Sequence, residues 1–255
     1  MRGEDSMISR YRFALNGDFL PSERAYAFYS CLLSMLPFDV AEQLHSQGET
    51  PISQFLYFDR EKEKNIWQIS ILDAETADAV CPILDELRCL ELNRGKVELS
   101  LQEKLQFTAE DFIVRSREQS ARHWETLFLL SPMAFKHNGR YVIVPQEHLI
   151  IQSLLNKWNT AFPQYPLDDE DALRLLEDGI HLSDYSLRSV RFPLKDNSIP
   201  GCAGKITLEA GLSAPIMEIW NLLLSFAPFS GVGIKTALGM GGIERKERNS
   251  FKAYI

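Results

Sequence analysis

The sequence predicts an α+β protein built from two tandem ferredoxin-like domains, residues 1–120 and 121–255. Three observations lead there. The order strand, helix, strand, strand, helix, strand can be read twice along the chain, and that order is the ferredoxin-like one. A length of 255 residues is long for one compact core and comfortable for two small ones. A polar stretch at 115–123, with Arg115, Arg117 and Arg122, separates the two runs as a linker.

In the first half, residues 7–15 (MISRYRFAL) read as a strand. Pro21 and Ser22 then open a helix in which Ala25, Phe28, Tyr29, Leu32 and Leu36 share one apolar face, and Pro37 ends it. Asp39 and Glu42 have capping-box spacing for a second, short helix that Gly48 would stop, with His45 in its last turn. Residues 52–58 and 66–72 are rich in β-branched and aromatic residues and flank the polar turn DREKEKN, a hairpin. A helical pattern covers 75–90, and Pro82 places the helix start near Cys81. KVELSL at 96–101 alternates as a strand, and KLQFTA at 104–109 adds a second piece.

The order then repeats without a residue-by-residue repeat. WETLFLLS reads as a strand, SPMAFKHNGRY as a turn and YVIVP as a short edge. The helix at 146–162 carries Ile151, Leu154, Leu155, Trp158 and Phe162 on one face, and a shorter helical pattern lies within 166–182. Residues 186–194 and 203–209 form a strand pair, Ala214 to Phe226 an apolar helix, and a last strand falls within 236–247.

The composition is that of an ordinary soluble globular protein, with 45% hydrophobic and 24% charged residues. A net charge of −8 counts against a molecule coated in basic charge. The charge is uneven, however. Residues 230–255 hold five basic side chains (Lys235, Arg245, Lys246, Arg248 and Lys252) against two acidic ones. Residues 186–205 hold Arg188, Arg191, Lys195 and Lys205 against one. A polyanionic ligand favours that distribution. Cys31, Cys81, Cys89 and Cys202 lack CxxC or finger spacing and read as buried, reduced thiols, with no metal site and no cofactor implied. The charged N-terminus lacks an apolar signal core, and no apolar run approaches the roughly 18 residues of a membrane span. The expectation is therefore a cytoplasmic protein without membrane contact.

The stretch FAPFSGVGIKTALGMGG at 226–242 holds five of the fourteen glycines: Gly231, Gly233, Gly239, Gly241 and Gly242. It is neither GxGxxG, because Thr236 holds the third position, nor GxxxxGK[ST], because Ile234 separates Gly233 from Lys235. Two readings stay open. Successive free amides, with Lys235 and Thr236 beside them, could form an anion-binding nest. The glycines could instead let the loop pack flat against a neighbouring sheet or domain.

This loop, with the apolar helix and the VRFPLK…GCAGKITL hairpin before it, resembles the C-terminus of the CRISPR-associated endoribonucleases that cut precursor CRISPR RNA. These belong to the repeat-associated RAMP superfamily, built on RNA-recognition-motif-like folds. FLLSPMAFKHNGRY resembles the turn that opens that family's second domain, and DVAEQLHSQGETPIS the region of its usual histidine. The resemblance implies a metal-independent cut by the RNA's own 2′-hydroxyl, leaving 2′,3′-cyclic phosphate and 5′-hydroxyl ends. It implies CRISPR repeat RNA as partner, a product retained or passed to an interference complex, and a monomer or homodimer. His45 is the matching histidine, its position at the border of the Val40–Leu44 face letting it point into a cleft, and Tyr29 the matching tyrosine, with Tyr26 on the same helix and His137 in reserve. The RNA-binding set is Gly231, Gly233, Lys235, Thr236, Gly239, Gly241, Arg188 and Arg191. The family's lysine is missing, since Thr50 and Pro51 stand in its region, and Lys62 or Lys64 could substitute. That departure keeps a second reading open, a non-cleaving RNA-binding subunit of the same superfamily.

Overall fold

The computed structural model describes residues 7–46, 50–92, 95–118, 122–194 and 197–245. Gly48, Lys195, Lys246, Arg248 and Lys252 lie outside them. The first half contains strands β1 (Met7–Leu15), β2 (Ile52–Asp59), β3 (Lys64–Ile71), β4 (Cys89–Leu92) and β5 (Gly95–Thr108), with helices α1 (Ala25–Met35), α2 (Phe38–Ser46) and α3 (Ala74–Glu86). Helix α4 (Ala109–Glu118) leads into the second half. That half holds β6 (Trp124–Met133), the small hairpin β7 (Phe135–His137) and β8 (Arg140–Val142), α5 (Glu147–Ala161), α6 (Glu170–Gly179), β9 (Ile180–Leu194), β10 (Asn197–Ala210), α7 (Ala214–Ser230) and β11 (Ile243–Arg245).

The sheet orders are β2-β3-β1-β5-β4 and β11-β6-β10-β9, and every pairing is antiparallel. In each half the first strand sits centrally between the last and the third, which is the ferredoxin-like arrangement in duplicate. Sheet alternation sorts the first core. Tyr11, Phe13, Leu15, Ile52, Leu56, Trp67, Ile69 and Ile71 pack with Phe28, Tyr29 and Leu32 of α1 and with Val80 and Leu84 of α3. The opposite face of the same sheet turns toward the second half. There Arg10 is bonded to Glu103 at 2.9 Å and lies 4.3 Å over the Phe229 ring at the end of α7. Burial, then the neighbouring Arg12, lower the Arg10 pKa, and Glu103 opposes them.

Several boundaries differ from the expectation for identifiable reasons. Helix α3 begins at Ala74 and carries Pro82 in its interior, because the Asp73 carboxylate caps it by accepting from the Thr76 amide at 2.7 Å. Helix α2 starts at Phe38, so Asp39 lies in its first turn rather than before it. Part of the stretch read as a linker is helix α4, which contributes Ala109 and Phe112 to the second core beside Trp158, Phe226 and Phe229. That core also takes in Ile8 and Leu72 of the first half. Strands β9 and β10 run longer than their apolar patches, since pairing along Asn197–Ala210 carries the exposed positions with it. All four cysteines are free; Cys81 and Cys202 are buried as expected, whereas Cys31 and Cys89 are only half-buried.

One polar side chain joins three parts of this arrangement. Gln54 of β2 is fully buried. Its Nε2 donates to the Ala25 carbonyl at 3.1 Å and to the Ala237 carbonyl at 2.9 Å, while its Oε1 accepts from Trp67 Nε1 at 2.9 Å. Gln54→Ala would leave two carbonyls and an indole N–H unpaired in the interior. The expected cost is about 3 kcal/mol, read as a Tm lower by roughly 6–12 °C in a thermal melt.

A candidate nucleic-acid interface at the seam between the halves

The glycine-rich loop leaves the C-terminus of α7, forms a 3-10 turn at Thr236–Leu238 and enters β11. Most of its amides are committed. Those of Gly231, Val232 and Ile234 donate to the carbonyls of Ala227, Gly241 and Ala134, and Gly241 donates to Pro132, all between 2.8 and 2.9 Å. The Gly233 and Gly242 amides donate to Ser153 Oγ and Ser131 Oγ, each at 2.8 Å. The SPMAF stretch and the glycine-rich loop, the two segments that carried the resemblance most specifically, are therefore hydrogen-bonded to each other through Ser131, Pro132 and Ala134.

This corrects the nest of free amides. Gly231, Gly233 and Gly241 do not offer their N–H groups to a phosphate, and the packing reading explains the glycines. A side chain on Gly233 would meet the Ala134 carbonyl oxygen at 2.3 Å, and one on Gly242 would enter the Phe55 ring at 2.4 Å. Gly239 lies against Ala25 and Phe192, where a Cβ would stand 2.5 Å from the Ala25 methyl. The loop backbone fits flush against β2 and α1 only without side chains at these positions. Thr236 turns its methyl toward Gly231 and Gly241. Lys157 of α5, which the sequence pattern did not single out, donates from Nζ to the carbonyls of Ser230, Gly231 and Gly233 at 3.0–3.3 Å and holds the end of α7.

Lys235 is the exception within the loop. It is exposed, and it has φ +59°, the left-handed region. For a residue with a Cβ this conformation costs roughly 1–2 kcal/mol. The Lys235 carbonyl accepts from the amides of Leu238 at 2.9 Å and Met240 at 3.2 Å, which fixes the turn.

Around this loop stand the other predicted residues. Tyr29 follows Ala25 by one helical turn on the same face of α1. It is 4% exposed, and its hydroxyl has no hydrogen-bond partner among the described residues. Burial pushes its pKa up to about 12, with Thr50 beside it acting in the opposite direction. The phenol is therefore a neutral donor at physiological pH. Thr50 follows His45 by five residues, so Tyr29 reaches the segment that joins α2 to β2. Leu44 is buried in the first core with Val40 packed against it, and His45 is exposed at the border of that face.

The remaining candidates lie elsewhere. Lys62 and Lys64 are at the β2–β3 hairpin, seven strand steps from Ile52. At about 3.3 Å per residue that is roughly 23 Å from the Thr50 end, and Lys62 Nζ sits 3.9 Å from Asp59. They do not replace the missing lysine. Arg188 and Arg191 are exposed on β9, but their odd spacing turns them to opposite faces of the strand. Arg245 is bound to the buried Glu125 at 3.1 Å and is part of the structure rather than a free cation. His137 and His148, on the β7–β8 hairpin and α5, meet edge to face at 6.3 Å. Among the described residues no three His, Cys, Asp or Glu side chains cluster as metal ligands, and no helix is long and apolar enough to cross a membrane.

Two ferredoxin-like sheets joined by a C-terminal glycine-rich loop define a tandem ferredoxin-like fold. A RAMP protein binding different RNA substrates shares the fold at TM-score 0.55 and 14% identity, covering 94% of this chain and 100% of that one. Thermus thermophilus Cas6 superposes with TM-score 0.73 at 24% identity over 96% of this chain and 100% of that chain. A Cas6 product complex gives 0.75 at 22% over 94% and 100%. The family described as CRISPR-associated endoribonuclease Cas6 matches residues 127–243. The chain is 28% identical over 232 residues to the CRISPR-associated endoribonuclease Cas6 of Streptococcus thermophilus, spanning 91% of this chain and 95% of that one. It is 29% identical to the Cas6 endoribonuclease of Mycobacterium tuberculosis over 95% of this chain and 80% of that one. The chain is thus similar over nearly its whole length to CRISPR-associated endoribonucleases.

An unpartnered buried hydroxyl lowers the stability of the empty fold. Tyr29→Phe should therefore leave the Tm unchanged or raise it, by up to about 1 kcal/mol of stability, in the same melt that reads Gln54→Ala.

Proposed function

We propose that this protein is a cytoplasmic, metal-independent endoribonuclease that cuts CRISPR repeat RNA and passes the matured guide to an interference complex. The 2′-oxygen at the cut site forms a bond to phosphorus while the bond from phosphorus to the 5′-oxygen breaks, leaving a 2′,3′-cyclic phosphate and a 5′-hydroxyl. The imidazole of His45 accepts the proton of the 2′-hydroxyl and returns one to the departing 5′-oxygen. Histidine suits both transfers because its ordinary pKa lies near neutrality. The Tyr29 phenol donates to a non-bridging oxygen. Arg188 and Arg191 contact the RNA backbone from the two faces of β9.

The observation that carries this reading is the Tyr29 hydroxyl: buried, beside Thr50 on the segment that follows His45, and with no acceptor for its proton among the described residues. A buried donor without an acceptor is the arrangement that a ligand oxygen completes. The absence of a lysine at Thr50 and Pro51 supports the second reading, a subunit that grips RNA without cutting it.

Cleavage assays separate the two. The purified chain should cut its repeat RNA in EDTA and leave a 2′-deoxy substrate bound and intact. His45→Ala should lower the cleavage rate by about 10²–10⁴-fold with affinity retained. RNA that is bound but never cut by the unaltered chain would establish the non-cleaving reading instead.

A further inference from the structure

The cyclisation places two negative charges on the phosphorane oxygens, and a water-poor site gains most from a cation fixed in advance at that point. Thr50 and Pro51 offer none, and Lys62 and Lys64 are at the far end of β2. Arg24 precedes Tyr29 by five helix positions, about 140° around α1, so the two side chains leave the helix in different directions. We infer that Lys235, carried on the glycine-rich loop of the second half, supplies this cation to a catalytic centre whose other residues belong to the first half. The inference rests on the proposed ribonuclease reading and deepens it.

The placement follows from bonds already described. Lys235 opens the 3-10 turn whose Ala237 carbonyl is held by Gln54 Nε2. The same Nε2 holds the Ala25 carbonyl, and Tyr29 is the next residue along that face of α1. Ala237 packs in the cluster that contains both Tyr29 and Leu44, the neighbour of His45. The loop runs from this point toward Gly239, which lies against Ala25 and Ser22. At the start of the same loop Gly231 lies against Ser53 of β2, the neighbour of Gln54. The turn that Lys235 opens is thus bonded to β2 four residues from Thr50, and the lysine's flexible four-carbon stem extends from that turn.

The backbone supports the same assignment. Five glycines occupy this loop, yet the left-handed position at 235 carries a lysine. Glycine would adopt that conformation without strain. Exposure means that the lysine is not there to fill the interior. Glu63 and Asn138 share that conformation in hairpin turns, whereas Lys235 adopts it in the loop that packs against both halves, a setting in which functional residues are often held in strained backbone. The committed amides give the loop a different task from holding phosphate with its backbone: it is a rigid base that carries one ammonium group across the seam.

The test is single-turnover cleavage at saturating protein, paired with the affinity for 2′-deoxy repeat RNA. Lys235→Ala should slow cleavage by about 10²–10³-fold while the affinity for the uncleavable RNA falls less than about tenfold. Lys235→Arg should recover most of the rate. Lys235→Gly should cut as poorly as Lys235→Ala while melting at the same or a higher temperature, which excludes misfolding as the cause. A Lys235→Ala chain that cuts at the unaltered rate, or whose loss of rate is wholly accounted for by loss of affinity, would overturn the inference alone. An unaltered chain that binds repeat RNA and never cuts it would overturn the ribonuclease reading, and this role with it.

Discussion

The Gln54 carboxamide is the interaction on which the geometry of the seam depends. It faces α1, sits on the outermost strand of the first sheet and reaches a loop from the other half of the chain. Its two N–H groups hold two carbonyls that belong to different halves, while Trp67 occupies its oxygen. A buried amide satisfied in this way specifies position more sharply than apolar contact does, because any shift leaves a donor or acceptor unpaired. The glycines serve the same constraint. They bring the loop backbone within contact of Phe55, Ala25 and Ala134, so that the Gln54 bond to Ala237 can form at all.

The two halves consequently act as one unit at this point. The first contributes α1 with Tyr29 and α2 with His45; the second contributes Lys235. Neither half holds all three. Arg10 strengthens the union from the other face of the first sheet, paired with Glu103 and stacked over Phe229. Arg245 and Glu125 close the second sheet behind the loop. Of the basic charge that looked available for a polyanion, Arg245 is spent in this way on structure. The exposed charge of Lys235 is left on a loop with no freedom to move its backbone.

One of the three left-handed non-glycine positions and one of the four unpartnered buried polar atoms among the described residues coincide with the proposed chemistry. Lys235 is held in a left-handed conformation and the Tyr29 hydroxyl is buried without a partner. Each lowers the stability of the empty fold. The surrounding bonds of Gln54, Lys157 and Ser131 hold both in place, the pattern expected where an interaction is completed only by a ligand.

Sequence alone determined the secondary structure and its duplicated order, because periodicity, proline and turn residues act locally. The helical face through Ala25, Phe28, Tyr29 and Leu32, the border position of His45 and the two βαββαβ runs were all legible there. So were the two motifs of the family. Tertiary structure decided what those motifs do. No local pattern shows that the amides of Gly231, Gly233 and Gly241 are already bonded, that Arg245 is paired with a glutamate 120 residues earlier, or that Lys62 lies at the wrong end of its strand. Gln54 and Lys157 were invisible for the same reason: each is an ordinary polar residue until folding brings distant carbonyls to it. Hydrogen bonds between residues far apart in the chain leave no periodic trace in the sequence, and at this seam they settle which charges and donors remain to meet a substrate.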